Sequence, residues 1–123
     1  MPNSSRYKTG KAGEDIAAAY LIQCGYVLKA RNYRVREGEI DIVAQKPDVL
    51  VFVEVKTAKS RSFGAPESWV DERKQQRIGL AAERYLMEKE IEDLDCRFDV
   101  ITVDLAVQPP FINHIEDAFW LDE

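Results

Sequence analysis

The chain has 123 residues, 46% of them hydrophobic and 32% charged, and a formal net charge of −5. That length suits one domain core rather than two, and the composition excludes a disordered or fibrous chain. The longest apolar run, Ile16 to Ile22, is far short of the roughly 20 residues that span a bilayer, and the polar start from Met1 to Arg6 lacks a secretory signal, so a cytoplasmic chain is expected.

Residues 1–12 are polar, and Gly10 and Gly13 are expected to break any helix there, leaving a flexible basic arm with Arg6, Lys8 and Lys11. From Gly13 onward, Ile16, Ala17, Tyr20 and Leu21 recur at helical spacing. Glu14 and Asp15 fall in the first turn of this expected helix, and Gly25 stops it. Strand-like segments follow over 26–35, 39–45 and 49–57. The second and third are separated only by Lys46-Pro47-Asp48, which predicts a hairpin.

After a loop over 58–66, Asp71 is placed to cap a second helix running to Glu88, with Ile78, Ala81, Ala82, Tyr85 and Leu86 on one face. Phe98 to Leu105 alternates as a further strand, and Phe111 to Ile115 suits a short edge. The expected domain covers 13–119, with an acidic end at 120–123. The order αβββαβ predicts an α/β fold: a mixed central sheet with a helix on each face.

Cys24 and Cys96 stand apart, without the paired spacing of a zinc site or disulfide scaffold, and read as packing residues. A single histidine, His114, excludes zinc sites that need two and reads as structural. The charge is uneven. Residues 1–36 hold seven Lys/Arg against two Asp/Glu, whereas 88–123 hold two against eleven. A negative protein can therefore turn a positive face to an anionic partner, the plainer alternative being solvated faces of mixed sign.

The hairpin carries the chemistry. If it closes symmetrically around Pro47 and Asp48, Asp41 lies opposite Glu54, and Glu39 opposite Lys56. Glu39 and Asp41 then share one face. The flanking Ile40, Ile42, Val43, Val51, Val53 and Val55 belong to buried strands, so two facing carboxylates among them need compensation. A divalent cation supplies it, since Mg²⁺ takes one or two carboxylates and completes its shell with water and phosphate oxygens. Neutralisation by Lys56 in a salt-bridge cluster is the alternative.

Asp41 followed by Glu54-Val55-Lys56 resembles the D…(D/E)-x-K signature of the restriction-endonuclease-like superfamily, whose core is also αβββαβ. A longer series is similar to the YraN-like family of small bacterial proteins, related to the archaeal Holliday junction resolvases. It comprises Gly13-Glu14-Asp15-x-Ala17, Gly25-Tyr26, Arg31-Asn32-Tyr33-Arg34, Gly38-Glu39-Ile40-Asp41, Val51 to Lys56, Phe63-Gly64 and Arg97-Phe98-Asp99-Val100. The likeness spans Gly13 to Phe119.

The resemblance implies a metal-dependent nuclease that hydrolyses DNA, on branched or repair intermediates, with Mg²⁺ or Mn²⁺. Asp41 and Glu54 would be metal ligands with the Val55 carbonyl as a third, and Glu14 would reach the same site. Lys56 would orient or deprotonate the attacking water. For Glu14 the competing explanation is a first-turn acid favoured by the helix dipole. Glu39 suits a supporting acid or a partner of Lys56.

Lys74, Gln75 and Arg77 would lie near the scissile phosphate or be plain surface residues. Arg31, Arg34 and Arg36, around Tyr33, would track phosphates or guard an edge strand. The acidic tail departs from the archaeal resolvases and points to weak or structure-selective DNA binding. The rival expectation is a DNA- or protein-binding module with slow or no cleavage. A homodimer is compatible with either.

Overall fold

The computed structural model describes residues 4–59 and 69–120, with side chains from Thr9 onward. Its first helix, α1, covers Ser4–Gln23. Gly10 and Gly13 thus do not break the helix, and from Ser4 the expected flexible arm is helical. Gly13 is where α1 meets the sheet: a Cβ there would overlap the Thr57 side chain. That close approach outweighs the intrinsic cost of about 1 kcal/mol for a mid-helix glycine. The helix ends as expected in a Schellman motif, with the Tyr26 N–H on the Leu21 carbonyl at 3.0 Å and the Gly25 N–H on the Ile22 carbonyl at 3.0 Å.

The remaining elements are β1 (Val27–Arg34), β2 (Glu39–Lys46), β3 (Val49–Ala58), α2 (Glu72–Glu88), β4 (Asp95–Asp104) and β5 (Phe111–Ile115). They form one sheet in the order β1-β2-β3-β4-β5. Only β3 and β4 run parallel, joined by the α2 crossover; the other neighbours are antiparallel. The sheet is mixed, as expected. The Asp71 carboxylate caps α2 by accepting the Lys74 N–H at 2.8 Å. The loop residues with Phe63-Gly64, and residues 121–123 of the acidic end, lie outside the described residues.

Each face of the sheet carries its own apolar layer. On one, Ala17 and Leu21 of α1 pack with Ile42, Ala44, Val51, Val53, Ile101 and Val103. On the other, Ile78, Ala81, Ala82 and Tyr85 of α2 pack with Ile40, Val43, Leu50, Phe52 and Val100. No helix among the described residues is long and apolar enough to cross a membrane. Both cysteines are exposed rather than packed: Cys24 lies in the turn that ends α1, and Cys96 near the start of β4.

His114 is structural, as expected, and belongs to a polar cluster under α1. Asp99 on β4 is fully buried. Arg97 donates to it from Nε at 2.8 Å and from Nη2 at 2.9 Å, and the Asp117 N–H adds a bond at 2.9 Å. His114 Nε2 lies 2.7 Å from Asp99, while its Nδ1 is 2.9 Å from the Tyr20 hydroxyl. The Asp99 carboxylate, held below its ordinary pKa, can only accept, so His114 carries a proton on Nε2, while burial and then the Cys24 thiol push the Tyr20 phenol up to about 12. One carboxylate thereby ties β4, β5 and the turn after β5, with α1 attached through His114.

Candidate functional site

The β2–β3 ladder keeps the symmetric register from Lys46↔Val49 to Ile42↔Val53 and then stops. The expected cross-strand pairs Asp41–Glu54 and Glu39–Lys56 therefore do not form as ladder pairs. Instead Asp41 Oδ2 accepts the Val55 N–H at 2.8 Å, a side chain replacing the partner backbone. The strand also slips its alternation here. Ile40 joins the α2 layer and Ile42 the α1 layer, although strict alternation would put both on one face. Asp41 is the residue of the slip.

A matching irregularity lies on β1. Ala30 and Tyr33, three residues apart, both pack on the α2 side, with Asn32 between them at φ 51°. This turns Arg31 and Asn32 toward α1. Arg31 bonds Glu14 at 3.0 and 3.2 Å and Asp15 at 2.7 Å, and Asn32 Nδ2 donates to Glu14 at 2.9 Å. Because α1 begins at Ser4, Glu14 and Asp15 are in mid-helix, and the first-turn dipole does not explain them. Glu14 is held by Arg31 and Asn32 instead.

Glu54 is 9% exposed on the α2 face, and Lys74 of α2 pairs with it at 2.8 Å. Burial, the Glu54 charge and the Glu14 charge together push the Asp41 carboxyl up to about 8, against the Val55 N–H. Asp41 therefore keeps its proton near neutral pH, beside the Glu54 carboxylate. Burial works against the Lys74 ammonium, but Glu54, with Asp41 and Glu39 adding, more than offsets it and holds its pKa above the ordinary value. Lys74, not Lys56, is therefore the counter-ion of the acids. Lys56 is half-buried two residues beyond Glu54, beside Thr102 of β4, and makes no ion pair among the described residues. Glu39 pairs with Arg34 at 3.0 Å rather than with Lys56.

The donor set fits a hard divalent cation: two neighbouring hard carboxylates whose repulsion is met by the proton kept on Asp41 and by Lys74. The Val55 carbonyl leaves β3 on the same edge as the N–H that bonds Asp41. No group of three or more acidic, His or Cys side chains able to hold a metal forms among the described residues, so water or phosphate oxygens would complete the shell. Glu14 acts on Asp41 through its charge while bonded to Arg31.

Beside the acids, Arg73, Lys74, Arg77, Glu39, Asp71 and Ile78 line a groove of about 370 Å³. Arg77 donates to the Glu37 carbonyl at 3.4 Å. A Cβ on Gly38 would overlap the Arg77 carbonyl, so this glycine lets α2 settle against the β1–β2 turn. Arg36 is exposed nearby. Arg73 was not among the expected site residues; its spacing of four from Arg77 on an amphipathic helix was the available signal.

The family model described as "Uncharacterised protein family UPF0102" matches residues 13–103. The chain belongs to the UPF0102 family. This is the YraN family indicated by the motif series. A UPF0102 protein of Syntrophus aciditrophicus is 46% identical over 114 residues, covering 93% of this chain and 90% of its own length. One from Geobacter sulfurreducens is 46% identical over 113 residues, covering 91% and 88%. One from Symbiobacterium thermophilum is 47% identical over 97 residues, covering 79% and 82%. The UPF0102 match includes Glu14, Asp41, Glu54, Lys56, Lys74 and Asp99, and ends before β5 and His114.

The proton that Asp41 retains has a measurable consequence for this UPF0102 protein. Unfolded Asp41 ionises near 3.8, whereas the folded residue keeps its proton to about 8. The folded state binds more protons in that window, so stability falls as pH rises through it. Asp41→Asn mimics the protonated acid: its oxygen can accept the Val55 N–H and its amide can donate to Glu54. In urea titrations with EDTA, the variant's margin over the wild type should widen from pH 5 to pH 8.5, by on the order of 4 kcal/mol.

Proposed function

We propose that this UPF0102 protein hydrolyses DNA phosphodiester bonds, on branched or repair intermediates, with Mg²⁺ or Mn²⁺ held by Asp41, Glu54 and the Val55 carbonyl. The observation that supports this reading best is the pair of half-buried Asp41 and buried Glu54 at the mouth of an opened hairpin, with Val55 one residue and Lys56 two residues beyond Glu54. When bound, the ion supplies Lewis acidity and a water acidic enough to attack near neutral pH. Asp41 and Glu54 orient the site. Lys56 stabilises developing negative charge and positions the water. Lys74, once Glu54 has another cationic partner, is available to a phosphate, with Arg73 and Arg77 along the groove.

Linear, nicked and four-way DNA incubated with Mg²⁺ or Mn²⁺ tests the reading, with Asp41→Ala as control. Cleavage by the wild type alone is expected. Mn²⁺ at about a hundred times its Kd should also stabilise the wild type by about 2.7 kcal/mol and leave Asp41→Ala unchanged. Equal thermal shifts in the two proteins would remove these carboxylates as the cation site.

A second reading has its own observation. Glu54 is already paired with Lys74, and Glu14 with Arg31, which favours a DNA- or protein-binding module with little or no cleavage. Binding without cutting in the same assay selects it.

In either case the phosphates that the protein neutralises set the salt dependence. Replacing Arg73 and Arg77 by alanine should lower the slope of log K against log salt by about 2, since each neutralised phosphate of duplex DNA accounts for about 0.9 of it. Arg31→Ala should leave the slope unchanged, because Arg31 is committed to Glu14 and Asp15. The reverse pattern would move the binding face to β1.

A further inference from the structure

A second concavity, of about 280 Å³, lies on the α2 face toward the other edge of the sheet, where Trp69, Val100, Ile115, Ala118 and Phe119 line it with Gln75 at its rim. Its floor continues a row of neighbours across the sheet. Glu54 pairs with Val100, and Val100 with Ile115, and paired residues on adjacent strands point to the same face. The apolar floor therefore starts on the strand next to that of Glu54, with the two backbones about 4.8 Å apart. Phe119 stacks on Phe98 at 5.1 Å between ring centroids, which fixes one aromatic wall.

The first turn of α2 stands between the two concavities. Arg73, Lys74 and Arg77 border the polar groove, while Val70 and Gln75 border the apolar pocket. An anion held at Lys74 thus has an aromatic-walled pocket within the reach of one nucleotide, from its phosphate to its base. The pocket is too small for a helix, whose diameter with side chains is about 10–12 Å, but suits one planar heterocycle.

The geometry points to a nucleobase subsite: the pocket takes a single unstacked base of the strand whose phosphate lies at Lys74 and the acid pair. This rests on the DNA reading above and specifies its substrate, a strand with an unpaired or extruded base next to the phosphate held at the acid pair. Stacking against aromatic rings is tolerant of base identity, and Gln75, whose Nε2 donates to the Val70 carbonyl at 2.9 Å, keeps an amide oxygen that can accept from a base edge.

The test uses the full chain at low salt with Ca²⁺, which gives Glu54 a cationic partner and leaves Lys74 to a phosphate, and two end-labelled 12-mers, verified intact afterwards and followed by fluorescence anisotropy: oligo-dT and an abasic strand with the same phosphates. The wild type should bind oligo-dT more tightly by about 5- to 150-fold, the factor that one stacked base contributes. Ala118→Leu, at an exposed lining position, should fill the pocket and abolish that preference while leaving affinity for the abasic strand unchanged. Phe119→Ala should do the same, with Ala118→Leu as the safeguard should Phe119→Ala fail to fold. Equal affinity for the two strands, or a preference that survives Ala118→Leu, overturns the pocket alone. Absence of binding to both strands overturns the DNA reading together with it.

Discussion

Replacing Asp99 by alanine is expected to destabilise the protein by about 3–5 kcal/mol, the cost of leaving a buried ion pair with one partner. Asp99 is 0% exposed and takes hydrogen bonds from Arg97, His114 and the Asp117 N–H, so its removal leaves Arg97 with only the Tyr26 hydroxyl and the exposed Glu116 and releases the turn after β5. Against a usual total of about 5–15 kcal/mol, such a loss is visible directly in the urea midpoint. Burial alone would raise the Asp99 carboxyl, but His114, Arg97 and Asp117 outweigh it and hold it below the ordinary range. The stability it contributes is therefore complete above the unfolded pKa and lost as pH falls through the lower folded one. A variant with wild-type stability would show that the cluster holds nothing together.

Lys56→Met should act on a different quantity. On the nuclease reading, cleavage falls by roughly 10²–10³ while affinity for DNA stays within a few-fold, because a charge that serves the transition state contributes little to ground-state binding. Lys56 pairs with no carboxylate among the described residues, so its removal should change stability by less than about 1 kcal/mol, as for an ordinary partly exposed site. Rate, affinity and denaturation midpoint on this one variant separate the two roles. A destabilised protein that cuts at full speed would take Lys56 out of the chemistry.

What could be read in advance followed from local rules. Pro47 and Asp48 set the hairpin register through Ile42↔Val53, and Asp71 capped the second helix at the expected place. The departures came from contacts between distant segments. Gly10 and Gly13 lower local helix propensity, yet α1 runs through both, and at Gly13 its packing on β3 at Thr57 favours a residue without a side chain. Counting by twos along β2 could not show the slip at Asp41, which depends on the left-handed Asn32 of the neighbouring strand. Lys56 was the nearest cation to the acids in sequence. Lys74 is the one that pairs with Glu54, brought there by the α2 crossover.

The open end of the hairpin also provides a spectroscopic handle. In most of the β2–β3 ladder each amide proton is held by backbone, and its exchange with solvent reports unfolding or local strand separation. The Val55 amide is held by a carboxylate that itself titrates at about 8. Its NMR resonance should move with the ionisation of Asp41 and, on the metal-dependent reading proposed above, move again when a cation displaces that proton. Its exchange rate should change with those events while the amides of Val51 and Val53 stay constant. A single backbone signal thus reads the occupancy of the acid pair with no substrate present.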